Sequence, residues 1–140
     1  MSEAALAHAM SSPTLTASAI PTVLFDRKLL VRGLNPAYEQ VSLRPRAALL
    51  GEQVFDAFPD NPADPAGAGS SRLMTSLEHV LGRRERHHLG LLRYDISDPQ
   101  QPDVYLPRVW SAVNSPILED GRVIGVMQQV EDITTLTQDA

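Results

Sequence analysis

Short β-favouring runs open the patterned part of the chain. Thr22-Val23-Leu24-Phe25 and Leu29-Leu30-Val31 are separated by Asp26-Arg27-Lys28, a spacing that predicts a tight antiparallel hairpin. Further along, Leu73, Leu77, Val80 and Leu81 recur at intervals of three and four, which places them on one face of a helix capped by Ser70 or Ser71. Strand-like patterning then fills the rest: His87 to Ile96, Val104 to Ile117 and Val123 to Ile133, with turns at Asp98-Pro99 and Asp120-Gly121.

Between the hairpin and the long helix the pattern breaks into short helical pieces. Asn35 is a good N-cap and Pro36 suits the first helical position. Arg46 to Leu50 forms a second piece closed by Gly51, and Val54 to Phe58 one more turn. Prolines 59, 62 and 65, set among small and acidic residues up to Gly69, cannot continue a helix and predict an exposed loop. Residues 1–19 carry only a weak stripe of Leu6, Ala9 and Met10, a flexible segment or short helix followed by a linker. Helices bracketed by two groups of antiparallel strands give an α+β fold class.

Composition narrows the function classes. The 140 residues suffice for one domain with its own core, and 43% hydrophobic with 21% charged residues is a globular balance. Seventeen acidic residues against twelve basic ones leave a net charge of -5, so no positive field exists to draw nucleic acid. Cysteine is absent, which removes disulfides, thiolate metal sites and flavin–cysteine adducts. No stretch approaches the roughly 18 apolar residues of a membrane helix, and no basic region precedes an apolar block at the N-terminus. The expectation is a cytoplasmic protein with no membrane partner.

The element order, with several local motifs, resembles the PAS domain family of sensory modules in bacterial histidine kinases and other signalling proteins. The motifs are the Asp26 hairpin, Asn35-Pro36-Ala37-Tyr38, and Leu50-Gly51-Glu52-Gln53-Val54-Phe55 ahead of the Pro-rich loop. They continue with Trp110-Ser111-Ala112-Val113-Asn114-Ser115-Pro116, Asp120-Gly121-Arg122-Val123 and Glu131-Asp132-Ile133-Thr134. The resemblance covers about residues 20–135 and leaves 136–140 as the start of a truncated output linker. It implies a PAS fold, a five-stranded antiparallel sheet with short helices packed on one face around a pocket. It also implies a sensor or signal-relay role regulating an attached or associated effector such as a histidine kinase, a homodimer, and a small-molecule ligand or partner. Asp132 and Thr134, able to bond local backbone where the last strand ends, would fix the direction of signal exit.

Strand alternation sorts the candidate residues. Trp110, Ala112 and Asn114 share one face, which the resemblance to flavin-binding relatives makes the ligand side, and Val109, Ser111 and Val113 share the other. Gln128 falls on one face of the last strand with Ile124, Val126 and Val130 and is a candidate polar contact. Two readings of Trp110 stand, ligand contact and simple core filling. By resemblance to haem-binding relatives His79 is the candidate axial ligand, although it lies off the centre of the apolar stripe. His87 and His88, adjacent in a strand, point to opposite faces and cannot chelate one ion together. No metal site and no catalytic motif is found, and the cofactor stays unspecified. A ligand-free homodimerisation module, with Val109, Val113 and Met127 as an outer apolar patch, is the alternative. A small α+β enzyme using Tyr94, Asp95 or His79 as acid or base is the more distant one.

Overall fold

A computed structural model describes residues 17–63 and 69–138. Two strands, β1 (Thr22–Asp26) and β2 (Val31–Leu34), lead into three short helices, α1 (Pro36–Ser42), α2 (Arg46–Leu49) and α3 (Val54–Ala57). The longest helix, α4 (Gly69–Arg83), precedes β3 (His87–Arg93), a small hairpin of β4 (Ile96–Asp98) and β5 (Gln101–Leu106), and two long strands. These are β6 (Val109–Glu119) and β7 (Arg122–Asp132), after which α5 (Thr134–Gln138) leaves the sheet. The main sheet has five antiparallel strands in the order β2-β1-β7-β6-β3, with β4 and β5 paired apart from it. The α+β expectation and the strand number both hold.

Turn chemistry sets the register. Asp120 and Gly121 both sit at positive φ, the conformation a two-residue hairpin demands, so Glu119 pairs with Arg122 and the β6–β7 ladder follows. At the first hairpin the Asp26 carboxylate accepts from the Lys28 and Leu30 N–H groups. Asn35 caps α1 as expected and does more: its Oδ1 accepts from Tyr38 N and from Thr22 N, while Nδ2 donates to Ile20 O. One buried amide therefore ties the helical layer to the first strand. Gly125 is required by crowding, since a Cβ there would lie 2.2 Å from the Phe25 carbonyl oxygen.

Three expectations need correction. The predicted strand His87 to Ile96 stops at Arg93, because Tyr94 N bonds to Arg108 O and Arg108 N bonds to the Asp95 carboxylate. That clasp turns the chain out of the sheet into the β4–β5 hairpin, and the predicted strand Val104 to Ile117 is broken at Pro107-Arg108 for the same reason. The cap of α4 is neither Ser70 nor Ser71; the helix starts at Gly69, and the Asp60 carboxylate accepts from the Ser70 N–H and hydroxyl. The segment expected to begin the output linker is helical over residues 136–138, as the end of α5. The short helix expected around Leu6 to Met10 lies outside the described residues.

The core lies between the inner sheet face and the helices. Phe25, Val31, Leu49, Leu77, Val80 and Val126 are almost fully buried there, and α4 lays its Leu73–Leu77–Val80 stripe onto the sheet as its spacing predicts. Among the described residues no helix is long and apolar enough to cross a membrane.

Candidate functional site

A cavity of about 60 Å³ lies between the helices and the inner face of β6 and β7. Taking roughly 30 Å³ as the liquid volume of one water, it holds about two waters or an organic molecule of a few heavy atoms. Strand alternation brings Trp110, Ala112, Gln128 and Val130 to its floor, while Tyr38 and Val41 from α1 and Leu73 from α4 cover it. Phe58, Tyr94 and Ile96 complete the wall on the side of the β4–β5 hairpin.

Its polar groups are few and defined. Trp110 donates its indole N–H to Tyr94 O at 2.8 Å, which fixes the ring against the wall. Tyr94 in turn donates its hydroxyl to Phe58 O. Gln128 Nε2 donates to Asn114 Oδ1 at 2.9 Å, and Gln128 Oε1, without a hydrogen bond among the described residues, is left to the cavity. The Tyr38 hydroxyl is likewise left to the cavity among the described residues. Burial pushes the Tyr38 phenol well above its ordinary range, against the opposing pull of the Arg44 charge. Burial, reinforced by the Asp60 charge, does the same for Tyr94. Both phenols are therefore neutral at physiological pH, and among the described residues no ionised side chain lines the cavity. At the rim, the Arg44 guanidinium stacks 4.9 Å from the Phe58 ring centroid and donates to Ser42 O, Ser97 O and Ser97 Oγ. It fastens the segment after α1 to the small hairpin.

Asn114 is 0% exposed and stands behind Gln128 rather than in the cavity wall. Its Nδ2 donates to Ser76 Oγ at 2.9 Å, and Ser76 Oγ lies 2.7 Å from His87 Nδ1. A continuous run of hydrogen bonds thus leads from the cavity through β7, β6 and α4 to the start of β3. Of the candidate ligand residues, Trp110, Ala112 and Gln128 line the cavity, Asn114 supports it, and His79 does not reach it. The His79 imidazole is 31% exposed, pairs with Glu85 at 3.2 Å and packs against the His87 ring. At about 60 Å³ the cavity is well below the roughly 300–1,000 Å³ of pockets that hold ligands of drug size.

The other candidates separate cleanly. His88 points to the outer face, where its Nε2 meets Ser111 Oγ at 3.4 Å, so the two adjacent histidines do diverge. Burial alone would raise the Asp95 carboxyl, but hydrogen bonds from Arg93, Asn61 and the Arg108 N–H hold it below the usual carboxylate range. Its role is the clasp described above, away from the cavity. Thr134 N donates to Asp132 Oδ1, and Thr134 Oγ1 accepts from Val109 N at 3.0 Å, which fastens the chain where β7 ends. Among the described residues no cluster of three metal-ligating side chains occurs.

Sequence reasoning missed Tyr38, Phe58, Ser76 and His87 as parts of this site. Tyr38 and Phe58 lie in or beside helical pieces of four to seven residues, too short for periodicity to assign a face. The signal for Ser76 was its place between Leu73 and Leu77 on the buried stripe, where a hydroxyl needs a partner.

Comparison with known proteins agrees with this architecture. No curated protein matches the sequence. Among solved structures, the PAS domain of a protein from Colwellia psychrerythraea is similar at TM-score 0.66 and 12% identity, covering 87% of this chain and 92% of that one. The PAS domain of nitrogen regulation protein NR(II) from Vibrio parahaemolyticus gives TM-score 0.64 and 14% identity over 86% and 94%. A PAS domain in complex with ethanol, from a LuxR-family transcriptional regulator of Burkholderia thailandensis, gives TM-score 0.60 and 12% identity over 86% and 95%. Residues 15–138 match the family described as PAS fold, and with the five-stranded sheet enclosing a cavity against short helices, the chain belongs to the PAS family of signal sensors.

Proposed function

We propose that this domain senses a small neutral molecule in the cavity and relays its occupancy to an attached or associated effector such as a histidine kinase, in the cytoplasm. The observation that carries the reading is the cavity itself, lined among the described residues by uncharged and mostly apolar side chains, with Gln128 Oε1 unpaired among those residues in its wall. A site of this make-up favours a neutral ligand with one polar group, because a charged one would lose its hydration without a counter-ion. Ethanol, seen with the Burkholderia thailandensis domain, is a molecule of suitable size for about 60 Å³.

The test combines native and denaturing mass spectrometry of freshly purified protein with ethanol titration followed through Trp110, the chain's single tryptophan. The expected result is a small bound mass or a saturable change in emission, either of which Ala112→Leu abolishes by filling the cavity. A ligand-free mass and an unresponsive Trp110 overturn the reading and favour a ligand-free homodimerisation module.

A further inference from the structure

The hydrogen bonds behind Gln128 have a direction, and that direction is set at one end by a histidine. With Asn114 Nδ2 donating to Ser76 Oγ, the Ser76 hydroxyl proton is available to His87 Nδ1, which accepts it in the neutral tautomer that carries its proton on Nε2. Asn114 Oδ1 then accepts from Gln128 Nε2, which leaves a carbonyl oxygen, an acceptor, facing the cavity. A protonated imidazole has no acceptor nitrogen; its Nδ1–H donates to Ser76 Oγ instead. The serine proton must then turn elsewhere. Directed at position 114, it requires the carboxamide oxygen there, so Asn114 turns over and its Nδ2 donates to Gln128, which turns over as well. Oxygen and nitrogen of a carboxamide are nearly the same size, so both turns keep the packing.

Resting on the small-ligand reading above, we infer that His87, Ser76, Asn114 and Gln128 are a reversible relay that selects the ligand's hydrogen-bonding sense. The cavity takes a small neutral donor (O–H or N–H) while His87 is neutral and a small neutral acceptor once it is protonated. Burial keeps the relay dry behind the cavity: Asn114 and Ser76 are 0% and 1% exposed, so a mismatched partner between them has no water to replace it.

The groups around His87 are few. On α4 the contact is His79, with ring centroids 4.9 Å apart; in the connecting turn Glu85 is paired to His79, Arg84 donates to Gly121 O, and Arg83 and Arg86 are charged neighbours along the chain. On β3 the neighbour His88 faces the opposite side. The inner face of β6 and β7 adds the amides Asn114 and Gln128 but no titratable side chain near it among the described residues. His79 is the histidine whose ring touches His87, and the experiment separates the two.

Pyrrole and furan provide the probes: five-membered rings of one shape, neutral throughout, the first an N–H donor and the second an acceptor only. Each is titrated into the isotopically labelled full chain, with binding followed by NMR at the Trp110 indole and the side-chain amides, at about pH 7.5 and about pH 5.5. At the higher pH pyrrole is expected to bind about tenfold more tightly, the worth of one buried hydrogen bond. At the lower pH the preference should vanish or reverse. His87→Asn should make the ratio independent of pH, and His79→Asn should leave the change in place. A wild-type ratio that does not move with pH overturns the relay, and shows that the serine proton turns to a helix carbonyl and leaves the amides alone. If the change disappears with His79→Asn and survives His87→Asn, the relay is equally overturned. Binding of neither probe at either pH defeats the cavity reading and the relay with it.

Discussion

Asn114 and Gln128 should behave as one energetic unit. Asn114→Leu removes the acceptor of Gln128 Nε2 at 2.9 Å, and Gln128→Leu leaves Asn114 Oδ1 without a donor in a fully buried position. Each single change strands a buried polar group, which costs about 1–3 kcal/mol, so about 2 kcal/mol is expected for each. Removing both partners leaves nothing stranded between the strands, and the serine keeps His87 as a partner. The double variant should thus lose about 2 kcal/mol or less, where simple addition would give about 4, a coupling of about 2 kcal/mol. Equilibrium urea unfolding resolves this readily: with a denaturant slope of about 2 kcal/mol/M, each single variant moves the midpoint down by about 1 M. A double variant that falls by the full sum, within about 0.5 kcal/mol, would refute the argument, since independent sites add to that precision.

Two further outcomes follow from the same contacts. Because hydrogen bonds hold the Asp95 carboxyl below the usual range, its contribution is fully present above the ordinary carboxylate pKa of about 3.9 and is lost as pH falls through the lowered folded value. Unfolding followed from neutral to acid pH should show a loss that Asp95→Asn flattens; an unchanged acid limb in that variant would mean that the clasp contributes nothing through its charge. Gly125→Ala should destabilise by about 3 kcal/mol, since the new Cβ would sit 2.2 Å from the rigid Phe25 carbonyl oxygen, and thermal unfolding of the variant at wild-type Tm would show the close approach to be relieved cheaply.

What the sequence made legible depended on period and turn chemistry. Alternation along β6 and β7 placed Trp110, Ala112, Asn114 and Gln128 on the inner face, because a residue two positions along a pleated strand has no choice of side. Asp120-Gly121 marked its hairpin because few residue pairs accept two positive φ angles. The break after Arg93 was invisible for the opposite reason: Leu92, Tyr94 and Ile96 continue the alternation, and only the Asp95–Arg108 clasp, thirteen residues apart, diverts the chain. Ser76 and His87 meet across two elements, and no local pattern encodes that meeting. Asp60 caps α4 from ten residues away, across the loop, where local preference pointed to the serines themselves. His79 was weighed against its off-stripe spacing, and its exposed pairing with Glu85 is what that spacing entails.

The cavity and α5 meet at one rung of the sheet, and under the proposed reading that rung is where occupancy is transmitted. Trp110, in the cavity wall, is the register partner of Asp132, and Asp132 holds Thr134 at the start of α5. Either side of that rung, Ile133 N donates to Val109 O and Val109 N donates to Thr134 Oγ1, while Arg108 approaches Asp132 at 3.5 Å. A ligand that displaces the Trp110 ring must therefore either break its bond to Tyr94 O or carry the β6 backbone, and with it the fastening of α5. The first route leaves the signal in the small hairpin, whose β4 is tied to Arg44; the second delivers it to the helix. Neither route can shift the exit by more than the ligand's difference in affinity between the two arrangements. For one buried hydrogen bond and a few apolar contacts that difference is about 1–3 kcal/mol, a population change of about 5- to 150-fold. Under the proposed reading, a cavity this small is matched to a switch whose two states already lie close in free energy, and Leu136 of α5, 71% exposed, is the apolar side chain open to the contact that would distinguish them.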